Sequence, residues 1–216
     1  MYSMRDPADL TGRARIPDAA TALFAAYGFH RVTVRAIASA AGVGPGLVTH
    51  HFGSKERLRW TCDEHVVPGL FDEHFERDSP GGLVRSLAEQ VGAASAKIDY
   101  IARMLVEPGT AGDELFNSLV ASTARRLAAG QEAGTIRSGS ATHVTALIVT
   151  VHELAQLVLR ERVRSALGAD PLSPKDIGRL TAPTLELLNH GLYVSDTTLA
   201  ISREAITRQD SSTPTP

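Results

Sequence analysis

Residues 41–52 read AGVGPGLVTHHF, with three glycines, a proline and two adjacent histidines in twelve positions. Three chemistries compete for such a stretch: a phosphate-cradling loop, half a metal site, or the bend of a helix-turn-helix. A dinucleotide loop needs G-x-G-x-x-G after a buried strand and before a long helix. Here the spacing is G-x-G-x-G, the preceding VRAIASAA has helical periodicity, and the Lys-Ser/Thr pair of a P-loop is missing. Metal binding fits no better. Adjacent helical residues point about 100° apart, so His50 and His51 cannot chelate one ion as an i, i+4 pair would. His143 and His152 are nine apart on one helical pattern, which sets them on nearly opposite faces. No metal site is expected.

The bend of a helix-turn-helix explains more of these residues. Gly42 tolerates the positive φ needed at the turn, and Val43 packs the corner. Gly44 falls at the N-cap of the next helix, where glycine is only a few tenths of a kcal/mol worse than serine. Pro45 suits the first helical turn, because its missing N–H has no intrahelical partner there. Gly46 lets the backbone approach another surface closely. If that surface is DNA, Leu47 and Thr49 present methyl groups and a hydroxyl to base edges, His50 reaches a phosphate, and Phe52 anchors the helix in the core.

The flanking sequence carries the same pattern outward. Ile16, Ala20, Leu23, Phe24 and Tyr27 fall on one face of a helix that Gly28 stops. Thr33 caps a short second helix bearing Val34, Ile37, Ala38 and Ala41, and Ser54 caps a fourth that starts at Lys55 and reaches the mid-70s unless Pro68-Gly69 ends it. Residues 1–11 show no apolar period and read as a flexible tail. Beyond the Asp78–Gly82 break, Val84, Leu87, Val91, Ala94, Ile98, Ile101 and Leu105 mark a core-facing helix. Further helical patterns cover 112–130, 141–168 and 174–194, with Pro183 set to bend or divide the last. A weaker pattern covers 197–208, and residues 209–216 read as a disordered tail. The sequence therefore predicts an all-α chain: a helix-turn-helix head at 12–56 on a larger helical body at 57–208.

Composition agrees. Of 216 residues, 43% are hydrophobic and only 5% aromatic, which favours helices over a sandwich or barrel. A lone Cys62 precludes an intramolecular disulfide and fits a reducing, cytoplasmic setting. No signal peptide is evident, and the longest strongly apolar run, Val144–Val151, is too short to span a bilayer. Net charge is −2, but residues 1–60 hold eight Lys/Arg against four Asp/Glu. That basic head suits a polyanion. No G-x-S-x-G, H-E-x-x-H, paired catalytic carboxylates or Cys-His signature appears, so neither an enzyme nor a cofactor is expected.

The run GFHRVTVRAIASAAGVGPGLVTHHFGSKERL resembles the DNA-binding domain of the tetracycline-repressor (TetR) family of bacterial transcriptional regulators. The resemblance covers about residues 12–60 and rests on Gly28-Phe29, Thr33, Ile37-Ala38, Ala41-Gly42-Val43, Gly46, His51-Phe52 and Ser54-Lys55-Glu56 with Leu58. It implies a homodimer whose third helices enter the major groove of a near-palindromic double-stranded DNA operator. Thr33 and Arg35 would then contact backbone and a base. Pro45, Gly46, Leu47 and Thr49 would face the groove, and His50 and Lys55 would hold phosphates. Two positions depart from the family pattern: Gly44 stands where Ser or Thr is usual, and Thr49 where Tyr is usual. Each alters a backbone contact.

The resemblance also assigns the body to dimerisation, through helices at about 141–168 and 174–194, and to enclosing a small-molecule effector. Polar residues on apolar faces (Tyr100, Asn117, Thr123, His152 and Gln156), with Phe71, Met104 and Phe116 as apolar walls, are the candidate pocket. Asp99 and Arg103 read as an exposed i, i+4 ion pair. The implied function is repression relieved by effector; activation, or a ligand-binding dimer with weakened DNA binding, stays open.

Overall fold

The computed structural model describes residues 7–67, 96–137, 139, 142–173, 175–192, 195–197, 200–202 and 204. Their principal helices are α1 (Pro7–Tyr27), α2 (Val34–Ala41), α3 (Pro45–Phe52), α4 (Lys55–Val66), α5 (Ala96–Val106), α6 (Thr110–Glu132), α7 (His143–Val158), α8 (Arg160–Leu167) and α9 (Gly178–His190). No strand occurs among the described residues.

The head assembles as its local chemistry dictates. Thr33 Oγ1 accepts from the Ala36 N–H at 3.2 Å and Ser54 Oγ from the Arg57 N–H at 3.1 Å, so both predicted N-caps are formed. Gly42, at φ +66, closes α2: its N–H donates to the Ser39 carbonyl and the Val43 N–H to the Ala38 carbonyl, the two bonds of a Schellman turn. Ile16, Ala20 and Phe24 of α1, Ile37, Ala38 and Ala41 of α2, Val48 and Phe52 of α3, and Leu58, Cys62 and Val66 of α4 fill the centre. Each large apolar side chain among them contributes about 1.5–3 kcal/mol by leaving water.

α1 begins at Pro7, within the span predicted to be a tail. Proline suits a first helical position, a signal that an apolar period does not carry. Tyr27, expected on the core face, is 61% exposed, because Gly28 ends the helix there.

The body adds α5 and α6, joined by a tight turn, and a Cβ at Gly112 in the first turn of α6 would collide with the Met104 carbonyl oxygen. α7 then packs along α6. The pattern 141–168 is two helices rather than one: Leu159, at φ −98 and ψ 17, turns the chain. Just beyond it Arg160 is held by Asp170, Nε to Oδ1 at 3.0 Å with a second short guanidinium–carboxylate contact, and by Asp99 at 3.7 Å. That pairing overturns the Asp99–Arg103 ion pair expected from spacing. Pro183 lies inside α9 without dividing it. The predicted helix 84–105 is seen from Ala96; the predictions for residues 68–95 lie outside the described residues. One continuous cluster of buried residues runs from Ile16 and Phe52 in the head, through Cys62, Ile98 and Ile101, to Leu119 and Leu157 in the body.

Candidate nucleic-acid interface

α3 is an amphipathic peg. Val48 and Phe52 point into the core, while Pro45, Gly46, Thr49 and His50 are exposed, and Leu47 is half-buried. Leu47 and Val43 lean on α1, where a Cβ at Gly12 would meet Leu47 Cδ2 and Val43 Cγ1 at 3.3 Å each. Gly12 is thus a close-approach position between α1 and α3 that periodicity alone does not reveal.

The two glycines before and within α3 answer to nothing inside the chain. A Cβ at Gly44 or Gly46 would have no atom within 4 Å. Gly44 is an N-cap at φ −70 and ψ 145 and offers no side-chain cap to α3. The Thr49 hydroxyl donates back to the Pro45 carbonyl at 3.4 Å, which leaves its oxygen free to accept. Arg31, Thr33 and Arg35, around the start of α2, are exposed, as are Arg13, Arg15 and Arg57. The His50 and His51 rings stand edge to face at 5.2 Å, and no group of three metal-ligating side chains occurs among the described residues.

Lys55 is placed differently from the resemblance. Its ammonium donates to the carbonyls of Phe29 at 3.0 Å and Val32 at 3.1 Å, and lies 4.2 Å from the Phe29 ring centre. Two of its three N–H groups therefore close the α1–α2 connection. Arg59 covers the same ring at 4.8 Å.

The candidate effector residues separate. Phe71 lies outside the described residues. Tyr100 and Met104 are buried where the body meets the head, around a cavity of about 10 Å³ shared with Phe24, Phe29, Arg59, Arg103 and Glu107, space for one water at most. The Tyr100 hydroxyl donates to Asp63 Oδ1 at 2.6 Å; burial, then that bond, pushes the phenol well above its ordinary range. Burial likewise raises the Asp63 carboxyl, partly offset by the same bond. Phe116 is half-buried against the core and Gln156 half-buried, whereas Asn117 and His152 are exposed. Thr123 is buried and accepts from the Thr150 hydroxyl at 2.9 Å and from Arg126 Nη2 at 3.2 Å. Arg126 also pairs at 3.4 Å with Glu153, which is 2% exposed.

Sequence reasoning passes over Asp63, Arg103, Glu107, Arg126 and Glu153. The available signal for Glu153 is its place three residues after Thr150 on a face otherwise apolar. Arg103 gives none, since Asp99, four residues before it, serves another partner.

A capped helix, a left-handed glycine turn and an amphipathic third helix with its polar face outward define a helix-turn-helix protein. Residues 16–59 match the family model for bacterial regulatory proteins of the tetR family, and residues 93–194 match a tetracyclin repressor-like C-terminal domain. The chain belongs to the TetR family. It is 35% identical over 133 residues to the HTH-type transcriptional regulatory protein RaaS of Mycobacterium tuberculosis, covering 60% of this chain and 62% of RaaS. That match therefore spans less than two thirds of the relative's length. It is 28% identical over 195 residues to the transcriptional regulator UidR of Escherichia coli, covering 84% of this chain and 99% of UidR. Among solved structures, the regulator FadR of Bacillus subtilis in complex with stearoyl-CoA shares the fold, with a TM-score of 0.62 at 19% identity over 84% of this chain and all of FadR. No helix among the described residues is long and apolar enough to cross a membrane.

Proposed function

We propose that this chain is a homodimeric transcriptional repressor whose α3 helices enter successive major grooves of a near-palindromic operator, and which a small-molecule effector releases. The outward face of α3 carries the reading. Pro45, Gly46, Thr49 and His50 form a narrow ridge on which a glycine with open space above it lets backbone reach base edges. Arg35, Thr33, His50 and Lys55 flank that ridge as phosphate contacts.

Dimerisation is supported by an uncovered apolar stripe. Val144, Ile148 and Val151 of α7 are 61, 63 and 50% exposed, and Val158, Leu159, Leu187, Leu188 and Leu192 are exposed as well. Phe116, Thr123 and Gln156, with Asn117 and His152, are the effector-facing group; Tyr100 and Met104 link it to the head. FadR's complex with stearoyl-CoA supports a small molecule as effector. The effector acts by its differential affinity for two conformers, typically about 1–3 kcal/mol, which is enough to misplace recognition helices that must lie about 34 Å apart.

The test is a gel shift on DNA flanking the protein's own gene. A specific complex that weakens steeply between 50 and 200 mM salt is the expected result. No specific complex would favour a ligand-binding dimer with weakened DNA binding, to which the bare N-cap at Gly44 points.

A further inference from the structure

One face of α5 and the residue that follows it hold the head through two polar contacts and one close approach. Tyr100 reaches Asp63 of α4 at 2.6 Å. Arg103, one turn on, donates Nε and Nη2 to the Ala25 carbonyl at 3.4 and 3.3 Å, across 78 residues of sequence. Glu107, a further turn on, abuts the end of α1 so closely that a Cβ at Gly28 would lie 2.6 Å from its Oε1. Ala25 lies in the last turn of α1, where carbonyls run out of intrahelical donors and a cation complements the helix dipole. Around these contacts the packing leaves room for one water at most, so the joint has little slack.

The other end of α1 touches the recognition helix. Gly12 packs on Leu47 and Val43 at a separation that tolerates no larger residue without displacement. α1 is thus a rod gripped by the body at Ala25 and bearing on α3 at Gly12. The thirteen-residue span between those points is about 20 Å long, so a tilt of about 5° at the gripped end moves the bearing end by roughly 1.7 Å.

We propose that Arg103 is a positioning residue that sets the angle of α1 on the body, with Glu107 as the stop on the same helix end, and thereby sets the spacing of the two recognition helices on DNA. The proposal rests on the operator-binding reading above. Arg103 touches no base or phosphate; it acts through α1 on α3. Loss of its hold leaves each head intact but lets its angle vary.

The experiment compares wild type, Arg103→Met and Arg103→Lys as full-length protein. Synthetic duplexes carry the selected operator with its half-sites at native spacing and with one base pair inserted or removed. Wild type should prefer its native spacing. Arg103→Met should keep its dimeric sedimentation and its affinity for a single half-site, lose at least tenfold affinity at native spacing, and show a flattened or displaced spacing preference. Arg103→Lys, which keeps one donor and the charge, should recover most of the preference. Equal loss at every spacing, in step with a lower melting temperature, would mean that Arg103 only stabilises the fold and would overturn the proposal. Hydrogen exchange without DNA judges the rod independently: in Arg103→Met, amides at the end of α1 and in α3 should exchange faster together. Faster exchange confined to the end of α1 would overturn it. If wild type forms no specific complex, the operator reading fails, and the exchange result alone decides whether α1 links the joint to α3.

Discussion

Replacing Gly46 with alanine should make this protein more stable and worse at its task. Gly46 follows Pro45 in the first turn of α3, and the added methyl would meet no protein atom within 4 Å. Glycine in a helix interior costs about 0.5–1 kcal/mol relative to alanine, so in the first turn the gain should sit at the low end, about 0.5 kcal/mol. For a chain of this size that corresponds to a rise in melting temperature of roughly 1–2 °C. On DNA the sign reverses. The methyl would stand between the helix and the base edges that α3 must approach, and losing one close contact in the groove costs about 1–3 kcal/mol, or roughly 5- to 150-fold in affinity. Thermal melting and fluorescence-anisotropy titration of a labelled operator duplex measure the two arms on one preparation. A variant that melts lower, or that binds the operator as tightly as wild type, would refute the argument that this glycine answers to an external surface.

Asp63 carries a carboxyl whose folded range is raised by burial, so its ionisation opposes folding: the stability it lends is complete at acid pH and is lost as pH rises through the raised range. Asp63→Asn, which keeps an acceptor for Tyr100, should therefore raise the urea midpoint at pH 7 and lose that advantage near pH 3; a larger gain at acid pH would contradict the sign. Cys62 is fully buried and its thiol is pushed up to about 11, chiefly by burial, so at pH 8 only about 0.1% is thiolate against roughly a quarter of an ordinary thiol. Its alkylation should consequently track unfolding, and rapid labelling of the native protein would show that the α1–α4 packing opens. Ile148→Glu changes a side chain that is 63% exposed, so the isolated subunit should fold within about 0.5 kcal/mol of wild type while sedimentation equilibrium at micromolar concentration shifts from dimer to monomer; an unchanged dimer would remove α7 from the interface.

The parts of this structure that sequence reveals are those decided within a few residues. Thr33, Gly42 and Ser54 each act through hydrogen bonds that span no more than five positions, so the helix-turn-helix is legible from spacing. Exposure along α3 follows in turn from helical periodicity, because Val48 and Phe52 must both face inward. What spacing misses is decided by distant partners. Lys55 is claimed by carbonyls 23 and 26 residues earlier, Arg103 by one 78 residues away, and Asp99 by Arg160, so three charges that look solvated or DNA-facing become fasteners between helices. The start of α1 at Pro7 and the turn at Leu159 are hidden for a different reason. An apolar period reports which face is buried, not where a helix is cut or what holds its ends.

The unbroken cluster of buried residues from Ile16 to Leu157 bears on how such a chain can be taken apart and recombined. A cut after Phe52, or anywhere in α4, would strip Ile98, Ile101 and Met104 from the underside of α1 and expose Phe24 and Cys62 to water. The head is therefore not a cassette that can be lifted onto another body at the end of the helix-turn-helix. A hybrid regulator with new operator specificity should instead keep α1 and α5 from the same parent and exchange only the exposed positions of α2 and α3. The natural unit of transplantation is a surface, not a segment.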